Sequence, residues 1–363
     1  KNPSISDVGV FLWAKKSANG TFVFSVLVVF NPLLVLFSDT RAMRAPALLS
    51  LLEDQQIHSG ESLARALGVS RTAVWKQIRK AREEGLEIRT VKGRGYQLLS
   101  MLDYLDDETV RQALSADLQS RVDLTILPEI DSTNREVARR LSPVSDRLPV
   151  VMADAQTAGR GRLGRAWASP KGENIYLSVG LALQGGFAAL EGLSLVLGVA
   201  VSRALESMGA LPLGLKWPND LYAFDKKLGG ILVEIQGELQ EGCVQVIAGI
   251  GINVHMQASP TVDQPWTSLA TSWPPIRWRR SEIAARLLEE IDTSVAVFQE
   301  EGFQAFRESW QARDIFYGRP LKARDADLEG IGAGIDERGN YLLKQGNKTV
   351  SVGAGDISLR VRP

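Results

Sequence analysis

The sequence predicts an α+β multidomain chain: a winged helix-turn-helix in front, a mixed-sheet α/β domain in the middle and a small β-barrel at the end. Three patterns predict it. Short capped helical runs lead into a basic β-turn between residues 43 and 103. Strand-like apolar runs that end in glycine or polar residues alternate with helical runs between 104 and 315. Short alternating runs broken by glycine fill 316–363. At 363 residues the chain has length for two or three domains, and 45% hydrophobic residues can fill their cores.

Residues 1–42 do not match the rest of the chain. Residues 21–37 (TFVFSVLVVFNPLLVLF) are apolar but interrupted by Asn31 and Pro32. The run falls short of the roughly 20 apolar residues that span a bilayer. Lys15 and Lys16 precede it, as in a signal anchor, yet no small-residue cleavage site comes cleanly after it. An upstream in-frame extension is the plainer expectation, because Met43 begins a regular domain and residue 1 is lysine. Residues 1–42 are not expected to be part of the fold.

From Ala45 the signals are local and strong. Leu48, Leu49, Leu51 and Leu52 give a first apolar helix face. Ser59 is the expected N-cap of a helix over 60–67, with Ser62 in place of the Glu of a capping box. Gly68 supplies a turn, and Ser70 caps a second helix over 71–84. Its apolar stripe is Val74, Trp75 and Ile78, set among Arg71, Thr72, Lys76, Gln77, Arg79 and Lys80. Two strand-like runs, 86–91 and 96–99, flank the basic turn Lys92-Gly93-Arg94-Gly95 and make a wing. Between residues 59 and 98 nine Lys/Arg face four acids, a local +5 in a chain whose 42 basic and 42 acidic residues cancel. Basic groups that neutralise phosphates supply most non-specific DNA affinity. Ser70, Arg71, Thr72, Lys76 and Arg79 on the second helix and Lys92 and Arg94 on the wing are the candidate DNA contacts. A solvated basic face on a small helical domain is the plainer alternative, and the basic wing turn weighs against it.

In the central region the acidic stretch 103–108 reads as a linker into a helix over 109–118. A strand over 122–127 leads to Asp131-Ser132-Thr133-Asn134, where Ser132 can cap a helix over 134–141 or meet a ligand. A strand over 150–154 feeds Gln156-Thr157-Ala158 and then the loop 159–165, in which three glycines and three arginines share seven residues. Glycine lets backbone amides approach an anion, and arginine offers forked charge to carboxylate or phosphate. No Gly-Lys-Ser/Thr comes after it, so this is not a Walker A loop. Trp167 and Pro170 stand where a Rossmann unit needs a helix. Gly/Arg tracts also bind nucleic acid, but this one is short, single and framed by strands, as a lid over an anionic ligand would be.

An apolar helix is expected over 190–208, then a strand over 213–215 ending in Lys216-Trp217-Pro218-Asn219-Asp220. Asp220 is a candidate for Mg²⁺ beside phosphates, and Lys216 for neutralising a phosphoryl group; alone, the turn reads equally as polar surface. Lys226-Lys227-Leu228-Gly229-Gly230 opens a strand over 231–236. A further strand over 244–250 ends in Gly249-Ile250-Gly251-Ile252-Asn253, whose glycines suit a bulged core strand or a bound ligand alike.

Composition narrows the chemistry. A single Cys243 excludes an internal disulfide framework and suits a reducing, cytoplasmic setting. Two distant histidines, His58 and His255, leave a His-rich metal site or a Ser-His-Asp triad poorly supplied. Catalysis would rest on Lys, Arg, Asp and backbone amides.

Taken in order, STN, GRGRLGR, KWPNDLY, KKLGGILVE and GIGINV resemble the bacterial bifunctional biotin–protein ligase and biotin-operon repressor, of the biotin–[acetyl-CoA-carboxylase] ligase family. The resemblance covers about 43–363. It implies activation of biotin by ATP and Mg²⁺ to biotinyl-5′-AMP, then transfer to a lysine of the biotin carboxyl carrier protein of acetyl-CoA carboxylase. By motif, Ser132, Thr133, Asn134 and Gln156 would hold the polar ring edge of biotin. Arg160, Gly161 and Arg162 would lie over its carboxylate and the nucleotide phosphate, and Lys227 would meet both charges. Lys216, Asn219 and Asp220 would serve ATP and Mg²⁺, with Arg165 and Asn253 on the nucleotide side and Trp167 near adenine. Lys227, Arg162, Lys216 and Asp220 are the implied catalytic set. Leu163 stands where some relatives carry Arg. The resemblance further implies an SH3-like barrel at the end, with Arg360 facing the nucleotide. It also implies an adenylate-bound homodimer on operator DNA of biotin genes, and no membrane. A ligase whose front domain regulates nothing, a non-catalytic biotin sensor and a lipoate-type ligase are the alternatives.

Overall fold

The computed structural model describes residues 8–16, 22–30, 45–52, 54, 56–83, 86, 88–98, 103–141, 147–186, 190–240, 242–259, 261–323, 328–353 and 359–361. The chain divides into two compact units, Lys1–Met101 and Leu102–Pro363.

In the first unit, β1 (Val8–Lys16) and β2 (Phe22–Phe30) pair antiparallel, with Val8 opposite Phe30. The apolar run of the sequence is thus a strand over 22–30, while residues 31–42 lie outside the described residues. Among the described residues no helix is long and apolar enough to cross a membrane. Next in the chain are α1 (Ala45–Leu52), α2 (Gly60–Leu67), α3 (Arg71–Glu83), β3 (Ile88–Val91) and β4 (Gly95–Leu98). The Ser59 hydroxyl accepts from Ser62 N at 3.0 Å and starts α2, and Gly68 ends it in the left-handed conformation, φ 62°. Ser70 accepts from Ala73 N at 3.2 Å and starts α3. Leu48, Leu52, Leu63, Val74, Ile78 and Leu98 are buried as the core. Trp75 corrects the expected stripe: it is 48% exposed, with the Arg79 guanidinium 5.0 Å from its ring centre. The buried face of α3 is Val74, Ile78 and Ala81, spaced i, i+4, i+7, and Trp75 falls off it. Residues 84 and 99, expected at element ends, are outside the described residues. Gly95, at φ 134°, lies against the His58 carbonyl, and any Cβ there would overlap it. His58 and Tyr96 exchange two backbone hydrogen bonds at that point, closing the wing onto the helices.

The second unit opens with α4 (Asp107–Ala113), α5 (Ala116–Arg121), β5 (Val122–Leu127), α6 (Thr133–Arg140), β6 (Leu148–Ala153) and β7 (Asn174–Gln184). It continues through α7 (Leu193–Ser207), β8 (Gly214–Lys216), β9 (Asp220–Ala223), β10 (Lys226–Gln240) and β11 (Cys243–Asn253). Then come α8 (Leu269–Ser272), α9 (Arg280–Glu301) and α10 (Gln304–Gln311). The helix expected over 109–118 is two helices, because Ser115 caps its own: its hydroxyl accepts from Leu118 N. One sheet runs β5-β6-β7-β11-β10-β9-β8; β5 and β6 are parallel and every other neighbour is antiparallel. Central β7 is buried along most of its length, as its unbroken apolar run requires. Buried faces of α7 and α9 pack over the sheet, where each fully buried Leu, Ile or Val contributes about 1.5–3 kcal/mol.

The last five strands, β12 (Pro320–Ala323), β13 (Glu329–Ile335), β14 (Tyr341–Gln345), β15 (Lys348–Val352) and β16 (Leu359–Val361), form an antiparallel sheet in the order β15-β14-β13-β12-β16. Its buried side chains Leu321, Ile335, Tyr341 and Leu343 belong to the same hydrophobic core as the seven-stranded sheet. Polar bonds cross the seam: Trp217 Nε1 donates to Gly339 O at 3.0 Å, and the Tyr341 hydroxyl to Asp314 Oδ2 at 2.8 Å. Burial raises the Asp314 carboxyl to about 6 against the bonds from Phe316 N and Tyr341.

Asp103, expected in a linker, is instead buried. Arg280, fully buried at the start of α9, donates from Nη1 to Asp103 O at 2.6 Å and to Asp154 Oδ1 at 2.7 Å, and from Nε to Asn174 O at 2.7 Å. Its own backbone N–H reaches Asp103 Oδ2. This knot joins the start of the unit, the end of β6 and the start of β7.

Candidate functional site

A cavity of about 850 Å³ opens where the loops after β5 and β6, the glycine-bearing parts of β10 and β11, the β8–β9 turn and β16 converge. Ser132, Thr133, Asn134, Gln156, Arg160, Gly161, Arg162, Arg165, Trp167, Lys216, Asn219, Asp220, Lys227, Asn253 and Arg360 all line it. Residues up to 228 positions apart in sequence, from 132 to 360, thus meet around one space.

One end is neutral and hydrogen-bonded. Ser132 occupies the N-cap position of α6, but its side chain makes no capping bond, which corrects a purely local role for it. Its backbone N–H is held by Asp131 Oδ1 at 2.8 Å. Thr133 N and Oγ1 both donate to Gln156 Oε1, at 2.9 and 3.1 Å, and Gln156 Nε2 donates to Ser169 Oγ at 3.1 Å. Ser178 Oγ lies 2.7 Å from Thr133 Oγ1 and 2.6 Å from Asn134 Oδ1, and Asn134 Nδ2 donates to Glu234 Oε2 at 2.6 Å. The amide of Asn134 rests on Gly249, where a Cβ would overlap it, and the Trp167 ring rests on Gly251, where a Cβ would lie 2.6 Å from it. These glycines make room for two cavity side chains, and the strand pairing runs through them on both sides without the bulge that is one reading of the strand end.

The other end is cationic. Lys227 Nζ lies 2.7 Å from Asp220 Oδ1, with the two side chains 15% and 16% exposed, and 5.5 Å from the Trp167 ring centre. Trp167 is therefore placed against Lys227 as well as over Gly251. Lys216 Nζ donates to the Tyr222 hydroxyl at 3.2 Å and lies 5.7 Å from the Phe316 ring centre. Burial lowers the Lys216 pKa; Asp220 opposes this, and the neighbouring cations Lys227, Arg360 and Arg165 add to it. Burial, followed by the Asp220 charge, raises the Tyr222 phenol to about 12. Arg162 Nη1 reaches Asn219 Oδ1 at 3.5 Å, while Asn219 Nδ2 donates to Ile231 O at 2.7 Å. Asn253 is buried, its Nδ2 bonded to Thr267 O at 2.9 Å.

The Gly/Arg loop bridges the two ends. Its neck is closed by backbone bonds, Trp167 N to Gly159 O at 2.9 Å and Gly161 N to Arg165 O at 2.8 Å. Leu163 at its tip has φ 56° and is exposed. Arg160 pairs with Glu234 at 3.2 Å.

No group of three or more His, Cys, Asp or Glu residues able to hold a metal occurs among the described residues. Three carboxylates, Asp220, Asp225 and Asp263, line the cavity, and one oxygen of Asp220 is engaged by Lys227. One or two of them suit a Mg²⁺ that arrives on nucleotide phosphates, since such ions take one or two carboxylates and keep several waters.

Sequence reasoning missed Ser169, Ser178, Tyr222 and Glu234. Ser178 had a signal: it is a small hydroxyl residue inside the otherwise apolar middle of β7.

In the first unit the candidate DNA contacts Ser70, Arg71, Thr72, Lys76, Arg79, Lys92 and Arg94 are all exposed. Arg82 is used otherwise: its Nε donates to Ile88 O at 2.7 Å and its Nη2 to Thr90 Oγ1 at 2.7 Å, so it ties α3 to the wing.

Comparison with known proteins places both units in known families. Residues 126–253 match the biotin/lipoate A/B protein ligase family, residues 44–97 an HTH domain, and residues 318–360 the biotin protein ligase C terminal domain. The chain is 38% identical over 317 residues to the bifunctional ligase/repressor BirA of Salmonella typhimurium, spanning 86% of this chain and 96% of that protein. It is 34% identical over 264 residues to the biotin--[acetyl-CoA-carboxylase] ligase of Mycobacterium tuberculosis, spanning 70% of this chain and 95% of that one. The structure of a biotin protein ligase from Aquifex aeolicus in complex with biotin and ATP superimposes with a TM-score of 0.58 at 32% identity, covering 66% of this chain and 99% of that one. With its ligase region, its C-terminal sheet and its helix-turn-helix in one chain, the protein belongs to the family of bacterial bifunctional biotin–protein ligases and biotin-operon repressors.

Proposed function

We propose that the second unit makes biotinyl-5′-AMP from biotin and Mg-ATP and passes the biotinyl group to a lysine of the biotin carboxyl carrier protein, in the cytoplasm. The observation that carries this reading is the polarity of one cavity, neutral at Thr133, Asn134 and Gln156 and cationic at Lys216, Lys227, Arg165 and Arg360. Biotin has the same polarity, a neutral ureido ring at one end and a carboxylate at the other. In the first step the carboxylate attacks the α-phosphorus and pyrophosphate leaves. Both reactants are anions, so the site needs cations and alignment and no protein nucleophile. Arg160, Gly161 and Arg162 cover the new mixed anhydride and shield it from water. In the second step the carrier amine attacks the acyl carbon and AMP leaves. Incubation with labelled biotin, Mg-ATP and a carrier domain tests this directly. Labelled carrier is the expected result, and none from the full chain would sink the reading.

Gly249→Ala is expected to weaken biotin binding by about 10–100-fold, because it displaces Asn134 from a buried hydrogen-bond network, while ATP binding holds. Isothermal titration with each ligand checks it. Burial makes Lys216 release its proton below the ordinary lysine value of 10.5. The alkaline limb of the adenylation pH profile therefore falls below that value, and Lys216→Arg moves it upward.

The first unit binds operator DNA of biotin genes through α3 and the wing, as a homodimer favoured by bound adenylate. Ligand and DNA affinities are then thermodynamically linked. A gel shift with a biotin-gene promoter should show tighter binding when biotin and ATP are added. Equal binding with and without them would remove the linkage.

A further inference from the structure

We propose that Glu234 is a positioning residue: its carboxylate ties the Gly/Arg loop to the ring-binding end of the cavity and so sets how long the acyl adenylate is retained. The inference rests on the biotin-ligase reading above. Glu234 stands on β10 opposite Ile247 of β11, and its side chain is 29% exposed. Its carboxylate meets two different parts of the site. Oε2 accepts from Asn134 Nδ2 at 2.6 Å, and Arg160 Nη2 lies 3.2 Å from Oε1 and 3.5 Å from Oε2.

Each contact has a distinct effect. An ionised carboxylate has no hydrogen to donate, so it draws the amide nitrogen of Asn134 toward itself. The amide oxygen is then left for the Ser178 hydroxyl, at 2.6 Å. With Gly249 beneath it, the Asn134 amide is held at both ends and from below. The remaining N–H of that amide is the donor available to a ligand. On the other side Arg160 belongs to the loop neck, where it bridges Ala166. The charge on Glu234 draws Arg160, and with it the loop, toward the end of the cavity where Asn134 sits. Opening the loop must break the Arg160 pair, and a shift of Asn134 must disturb the same carboxylate. The ring-binding end and the lid therefore share one group, and a contact of modest strength at a release gate acts directly on the dissociation rate.

The test uses the full chain and the variants Glu234→Gln, Arg160→Gln, the pair together, and Glu234→Asp. The readouts are the KM for biotin, the KM for ATP, the melting temperature and the rate at which labelled biotinyl-5′-AMP leaves the enzyme in a chase. Glu234→Gln is expected to raise the biotin KM and the release rate about tenfold, with the ATP KM and melting temperature unmoved. Arg160→Gln should raise the release rate similarly, the double variant no more than either alone, and Glu234→Asp, which keeps the charge, less than Glu234→Gln. Release unchanged in Glu234→Gln, effects that multiply in the double variant, or an equal rise in both KM values would each overturn the inference while leaving the ligase reading intact. Failure of the unmodified chain to form or hold the adenylate would overturn both.

Discussion

Lys227→Met is expected to slow adenylate formation by about 10²–10³-fold, measured by pyrophosphate exchange. Two effects combine. The cation at the centre of the cationic end disappears from a position where its side chain is only 15% exposed, so water replaces its charge poorly. Asp220, 2.7 Å away, is then left as an uncompensated carboxylate facing two anionic reactants. The double variant Lys227→Met, Asp220→Asn separates these effects, since any recovery measures the repulsion from Asp220. A single variant within threefold of the unmodified protein, at equal melting temperature, would remove Lys227 from the reaction.

Arg280→Met should cost about 3–5 kcal/mol of stability, because it strands the Asp154 carboxylate and the Asp103 and Asn174 carbonyls in the interior without their guanidinium partner. For a unit of this size the melting temperature should fall by about 10 °C. Asp154→Asn in the same chain should recover part of the loss, as the stranded charge goes. The effect is one of folding, so biotin and ATP affinities measured well below the melting temperature should be nearly unchanged. A fall of less than about 2 °C would mean that water or a rearranged neighbour satisfies the Asp154 carboxylate.

What the sequence made legible depended on the range of the interaction. Ser59, Gly68 and Ser70 act on neighbours within five residues, so α2 and the start of α3 could be read directly. The site motifs were legible because each is a short cluster of functional groups, and the fold needed only to bring the clusters together. Where burial decides, the reading failed. Trp75 fits the helical period beside Val74 and Ile78, but the buried face of α3 runs through Val74, Ile78 and Ala81 and leaves Trp75 at its edge. The Ser115 break was missed because the apolar period of 109–118 ran across a cap. The Arg280 knot joins residues 177 positions apart, and nothing near Asp103 in sequence announces it. Glu234 and Ser178 are single polar residues on strands, and their partners are fixed only by register across the sheet.

The seam between the two sheets also bears on how the protein is born. Trp217 of the seven-stranded sheet finds its hydrogen-bond partner at Gly339, Asp314 finds Tyr341, and Arg360 of β16 lines the cavity. A ribosome delivers Gly339, Tyr341 and Arg360 only after the whole seven-stranded sheet. Until then the nascent chain is expected to expose the aromatic face around Trp217 and Phe316 and to lack one wall of the cavity. A chain that stops short of these strands should display the kind of apolar surface that cellular proteolysis removes.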